Sequence, residues 1–293
     1  MESVDEMQAD AAAKPKATEV DCIQAGAYLL ELSLDWIVCR ASENIHKLLD
    51  ESHVTLIEEP LGKFVQSQPL HDLRNLFSRL SGTTGIARAY RVRLTGEPDL
   101  VDIAFQQHDD RVVLEIVPSP SDGLGECLGA VGGLAAGLTN DSGTQLLDAG
   151  ARRMRALTAF DRVTLLVGDA KSTSDRTGVP FRSGANASLS DGLPILVPDT
   201  AAAGVPIFPR SDGDSAVPQA LLRPPSADEK AELVERGFAS AMRIPVTLDG
   251  EQLGEFRLAH TTPRRPSLEL HAAAELFAQL FAMRLEIDRL KKG

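Results

Sequence analysis

A chain of 293 residues that is 43% hydrophobic and 4% aromatic carries enough apolar side chains for two domains with cores, and too many for wholesale disorder. Its net charge of −12 argues against nucleic-acid and anionic-membrane partners, because phosphate binding needs a concentrated basic face and no Lys/Arg-rich run is present. Cys22, Cys39 and Cys127 are widely spaced with no C-x-x-C, which indicates neither a zinc site nor a disulfide framework.

Residues 1–20 are acidic, Ala-rich and free of an apolar run, so a flexible arm and a cytoplasmic location are expected. From 27 to 38 apolar and polar positions alternate around Trp36, predicting two strands. Ile45, Leu48 and Leu49 fall at helical spacing, Pro60-Leu61 opens a turn, and 70–80 reads as a helix. Strands are predicted over 87–94, 100–105 and 111–117, separated by Gly-Glu-Pro-Asp and by His108-Asp109-Asp110. Short helices within an antiparallel meander predict an α+β domain of PAS type over 21–120.

Pro118-Ser-Pro-Ser-Asp-Gly marks a boundary, and a second α+β domain is expected over 125–266. It begins with a Gly/Ala-rich helix, a helix over 144–157 and a strand over 163–167, followed by a polar loop over 171–191. Ser226 and Glu229 form the capping box of a short helix, and 244–248 and 254–259 make a hairpin about Asp249-Gly250. The segment 267–293 reads as one long helix capped by Ser267. Its Leu276, Leu280, Met283, Ile287 and Leu290 recur in steps of four and three, the stripe of a coiled coil. Such a stripe serves either packing on the helix's own domain or a homodimer. Its continuation to Leu290, among the charges of Arg284, Glu286, Asp288, Arg289, Lys291 and Lys292 read as solvating, favours a dimer helix leading to a fused or cognate output domain.

Several segments together resemble the bacterial phytochromes, from Cys22 to the terminal helix. They are Ile23-Gln-Ala-Gly-Ala-Tyr-Leu-Leu-Glu-Leu, Ala41-Ser-Glu-Asn and the strand from His108 to Pro118 in the first half. In the second half they are Phe160-Asp-Arg-Val, Leu193-Pro-Ile-Leu-Val-Pro-Asp-Thr, Val205-Pro-Ile-Phe-Pro, Gly237-Phe-Ala-Ser-Ala-Met and Ala259-His-Thr-Thr-Pro. The resemblance implies a PAS domain followed by a GAF domain and a figure-of-eight knot. In that knot Ile23 passes through a loop that includes Leu193, Ile195, Val197, Val205 and Ile207.

The family's site holds biliverdin through a thioether to an N-terminal cysteine, with histidines around the rings. Here the cysteine position falls at Ala12, and the family's P-A-S-D-I-P segment has no counterpart in the shortened 180–191 stretch. Glu229 and Glu232 replace a ring-stacking His and a Tyr, Ala259 replaces a His, and Arg223 and His260 are retained. No cofactor is therefore expected, and the function implied is a light-independent, bilin-free sensory and dimerisation module of a bacterial signalling protein, without catalysis of its own. Three alternatives stay open: a GAF domain binding another small ligand through Arg223, Arg243 and Arg257, a cysteine-based redox sensor, and non-covalent biliverdin binding. Asp148, Arg152, Arg153 and Arg155 read as a solvated helix face, and His108-Asp109-Asp110 as a turn rather than a metal site. Ser183 and Ser188 lack a nucleophile elbow, and no phosphate-binding glycine motif occurs.

Overall fold

A computed structural model describes residues 21–79, 86–96, 99–120, 126–178, 194–210 and 220–292; Ala12, Ser183, Ser188 and Leu193 lie outside them. The first domain contains β1 (Cys22–Ile23), β2 (Tyr28–Ser33), β3 (Val38–Ser42), α1 (His46–Leu49), α2 (His53–Leu56), α3 (Ser67–Phe77), β4 (Ala87–Val92), β5 (Val101–His108) and β6 (Arg111–Pro118). The second contains α4 (Glu126–Ala136), α5 (Gly143–Thr158), β7 (Arg162–Val167), β8 (Ala170–Asp175), β9 (Ile195–Val197), β10 (Val205–Phe208), α6 (Ala227–Glu235), β11 (Ser240–Leu248) and β12 (Glu251–His260). The terminal helix α7 spans Leu268–Leu290.

The sheets are ordered β1-β10-β3-β2-β6-β5-β4 and β8-β7-β12-β11-β9. The first therefore takes a strand from the second domain: β10 lies between β1 and β3, pairing Pro206 with Cys22 and Ile207 with Ser42. The domains expected over 21–120 and 125–266 are thus joined by a shared strand. Strands β5 and β6 are buried on both faces for a related reason. One face, with Ile103, Phe105, Val112 and Leu114, packs on Trp36, Leu56 and Leu73. The other, with Ala104 and Val113, joins the core of the second domain.

The loop expected from 171 is a strand over its first five residues, since β8 pairs along β7 from Val167↔Ala170 to Arg162↔Asp175. Its inward positions are serines rather than apolar residues: Ser172 donates to Asp148 at 2.5 Å, and Ser174 accepts from Arg155 at 2.8 Å. Those two α5 side chains thus tie the helix to the sheet instead of forming a solvated face. The Asp249-Gly250 turn has φ of 51° and 84°, the left-handed pair that a two-residue hairpin loop requires.

Helix α7 presents three faces. Phe277 and Phe281 lie in the core against Phe256, with Phe281 seated over Gly150 of α5. His271 and Glu275 reach Arg88 of the first domain. Leu276, Met283, Ile287 and Leu290 are exposed, whereas Leu280 is half-buried against the core and departs from the expected stripe. Two of the flanking charges are structural rather than solvating. Asp288 accepts from Gly143 N–H at 3.0 Å, and Arg284 donates to Leu138 O and Asp141 O, so both fasten α7 to the α4–α5 connection.

Candidate functional site

The inward face of the second sheet carries Met242, Ile244, Phe256, Leu258, Val163 and Leu165, which fill the core beneath α5 and α7. Strand alternation puts Arg243, Glu255, Arg257, Ala259, Arg162 and Asp175 on the opposite face. That face is a lattice of ion pairs. Arg162 meets Asp175 at 2.6 Å and stacks over Phe238 at 5.1 Å, Arg257 pairs with fully buried Glu255, and Arg243 pairs with Glu229 of α6 at 3.1 Å. Lys171 stands beside them, its amine held below the usual lysine range by burial and by Arg236, Arg257 and Arg162.

The positions singled out from the sequence fall on and around this lattice. Glu229 closes the capping box, accepting from Ser226 N–H at 2.8 Å while its own N–H donates to Ser226 Oγ at 3.2 Å. Burial pushes its carboxyl up, but the Ser226 N–H, Arg243 and Arg223 outweigh burial and hold it below the usual range. Glu232 pairs with Arg236 at 2.9 Å, one turn along α6. Arg223 donates to Pro194 O at 2.9 Å and Ala220 O at 3.3 Å. The three arginines offered for an anionic ligand, Arg223, Arg243 and Arg257, are thus all engaged within the fold.

Ala259 pairs with Arg162 at the far end of β12, and His260 follows it. His260 Nδ1 lies 2.9 Å from Asp161 Oδ2, out of line for a hydrogen bond, and its ring meets Phe160 edge-on at 5.9 Å. Burial and the guanidinium groups of Arg264 and Arg176 lower its proton affinity against the pull of Asp161. Asp161 accepts from Thr261 N–H and Oγ1–H at 2.9 and 2.7 Å and from Arg176 at 2.7 Å. Burial opposes these donors and is outweighed, leaving the carboxyl at about 2.

A second cluster joins the domains. Ile23 is fully buried and pairs with Val205, and Ile207 N–H donates to Asp21 O at 2.9 Å. Ile195 and Val197 instead belong to β9, hydrogen-bonded to β11 within the second sheet. Gln24, next to Ile23, donates through Nε2 to Leu196 O at 2.6 Å and Arg223 O at 2.8 Å. Glu115 of β6, fully buried, accepts from Leu221 N–H at 2.8 Å and Leu222 N–H at 2.6 Å. Sequence reasoning passed over both residues, although a carboxylate inside the apolar run Val-Val-Leu-Glu-Ile-Val is itself the signal, because such a group needs built-in partners. Buried Arg40 completes the junction, bonding Pro209 O at 2.9 Å, Asp21 at 2.5 Å and Glu31 at 3.2 Å.

On the helical side of the second sheet, Cys127, Ala130, Gly133, Leu134, Ala156 and Leu157 line an open groove of about 500 Å³. Cys39 accepts from Arg111 at 2.6 Å, yet burial outweighs that guanidinium and pushes its thiol up, away from the reactive thiolate. Among the described residues no disulfide is formed, no three His, Cys, Asp or Glu groups gather as metal ligands, and no helix is long and apolar enough to cross a membrane.

Residues 20–119 match a family described as PAS fold. Among solved structures, the chromophore-binding domain of an unusual bacteriophytochrome, RpBphP3 from R. palustris, superposes with a TM-score of 0.73 at 22% identity, covering 95% of this chain and 98% of that one. A longer structure of bacteriophytochrome RpBphP3 gives 0.78 at 20% identity, covering 95% of this chain and 61% of the other. No match was found among curated proteins. The chain thus opens with a PAS domain, continues into a second α+β domain and a long terminal helix, and has across both domains the fold of a bacteriophytochrome PAS–GAF module.

Proposed function

We propose that this chain is a light-independent, bilin-free input module of a signal-transduction protein, acting as a homodimer through α7. The observation that carries the reading is the state of the positions where the resemblance puts bilin contacts. Glu229 and Glu232 stand there already committed to Arg243 and Arg236. A bilin propionate meeting these carboxylates is repelled, and a pyrrole ring that parts Glu255 from Arg257 or Asp175 from Arg162 leaves the buried Glu255 or Arg162 charge without its partner. Ala259 offers no ring nitrogen, and His260 is turned to Asp161.

The dimer is supported by the exposed Leu276, Met283, Ile287 and Leu290 on α7. An identical helix is the natural complement of that stripe, since a heptad seam is self-complementary about a two-fold axis. Alongside it, α4 exposes Gly129, Gly132 and Gly133, where an added Cβ would meet nothing within 4 Å, so the backbone leaves room for the partner's side chains.

The test is co-expression with a biliverdin source, followed by absorbance from the near-UV to the far red before and after red illumination. A spectrum with no band above the protein's own is expected. A photoconvertible red band would overturn the bilin-free reading.

A further inference from the structure

We propose that the PAS sheet acts on the terminal helix directly, with Arg88 on the edge strand β4 as the positioning residue that couples them. This rests on the reading of α7 as the output helix and names what moves it: a shift of the PAS sheet edge rather than a ligand on the GAF sheet.

Arg88 is the point where a PAS side chain grips α7 on two successive turns. Its guanidinium, 9% exposed, donates to Glu275 Oε2 at 2.7 Å and to His271 Nδ1 at 2.9 Å. His271 is fully buried, and burial together with the Arg88 charge keeps its pKa well below the ordinary value. The neutral ring accepts at Nδ1, so its proton sits on Nε2. That Nε2 is buried with no hydrogen-bond partner among the described residues, and so is Arg88 Nε. Burial likewise pushes the Glu275 carboxyl up against the opposing pull of Arg88. Tyr90 of β4, Asp102 of β5 and Glu269 of α7 are the other ionisable groups whose charges meet in this cluster. A buried donor without a partner is costly, so a rearrangement that supplies partners to these two groups is favoured.

The strand beside Arg88 carries a bulge with a strained residue. The β4–β5 register breaks between Ala89 and Val92, and Arg91 lies in the left-handed region at φ 54°, its N–H held by Asp102 Oδ1 at 2.9 Å. A non-glycine residue in that region persists because its surroundings hold it. Displacing the bulge moves Arg88, and Arg88 moves His271 and Glu275. From His271 the rod of α7 runs to Met283, roughly 18 Å away at a rise of about 1.5 Å per residue.

The experiment compares Arg88→Leu and Glu275→Gln with the parent in the full chain, labelled at methionine methyl groups and at the indole of the single tryptophan, Trp36. Met283 is half-exposed on α7, whereas Trp36 is buried in the PAS core and reports whether that core is intact. Coupling is reciprocal, so both variants are expected to move the Met283 methyl resonance by more than its linewidth while the Trp36 indole resonance holds. A Met283 signal that stays put in a folded variant, or one that moves only together with Trp36, overturns the proposal. If Arg88→Leu does not fold, the nearly isosteric Glu275→Gln decides by the same two signals. Light scattering on these samples separates the readings: a dimer with an unmoved Met283 removes the coupling and leaves the dimer, and a monomer with a moved Met283 does the reverse.

Discussion

Asp161 concentrates the chemistry of single residues in this fold. It joins the start of β7 to the segment after β12 through Thr261 and to the end of β8 through Arg176, and its carboxyl stays ionised down to about 2 instead of the ordinary 3.8. A depressed folded-state pKa contributes stability that is complete above the unfolded value and is lost as pH falls through the folded one. Asp161→Asn is therefore expected to cost at most about 2 kcal/mol at neutral pH, and the difference from the parent should shrink between about pH 4 and pH 2. Urea titrations at pH 7, 4 and 2.5 check this, and a gap independent of pH would refute it. The Phe-Asp-Arg-Val motif drew attention to this position from the sequence, but its partners Thr261 and Arg176 lie on other strands' ends and carry no local signal. The same limit explains Asp288 and Arg284: on a helical wheel they read as solvated, and only the approach of the α4–α5 connection gives them work.

At the scale of elements, the structures specified by local chemistry were legible. The capping box of α6, the Asp249-Gly250 hairpin and the Ser267 cap of α7 each need only residues a few positions apart. Strand β8 was not legible, because its buried side chains are serines chosen to match Asp148 and Arg155 on α5, so hydrophobic alternation is missing. Strand β10 is four residues with a proline, and its partners stand more than 160 positions away. Helix packing offers a test at this scale. A Cβ on Gly150 would lie 2.4 Å from Phe281 Cε2, a side chain locked between α5 and the sheet. Alanine gains about 1 kcal/mol of helix propensity over glycine, and overpacking costs about 1–3 kcal/mol. Gly150→Ala should therefore be net destabilising, by roughly 1 kcal/mol, in thermal or urea unfolding. A more stable variant would mean that α7 yields at this contact.

For the molecule as a whole, the decisive feature is that the two domains share a sheet and a core. Glu115 and Gln24 bind the 220–223 turn, β10 completes the PAS sheet, and Arg88 holds α7. The two domains are thus held to each other by buried contacts at several points. The proposed dimer rests on the exposed stripe of α7, where Met283→Glu with Ile287→Glu is expected to convert a dimer to a monomer by light scattering without loss of folding. Both positions are half-exposed, whereas Leu280 is packed on the core and would confuse dissociation with unfolding. A dimer that survives both charges would remove α7 from the interface.

The sequence by itself determined the α+β class, the PAS-type meander of the first domain and the long terminal helix. Each of these is written in short-range patterns or in the identity of single residues. The tertiary structure alone decided that β10 belongs to the first sheet, that the far face of the GAF sheet is an ion-pair lattice, and that Arg88 reaches α7. Those facts depend on which distant groups meet, and a charged or polar side chain reads alike in sequence whether it faces water or a partner brought to it by the fold.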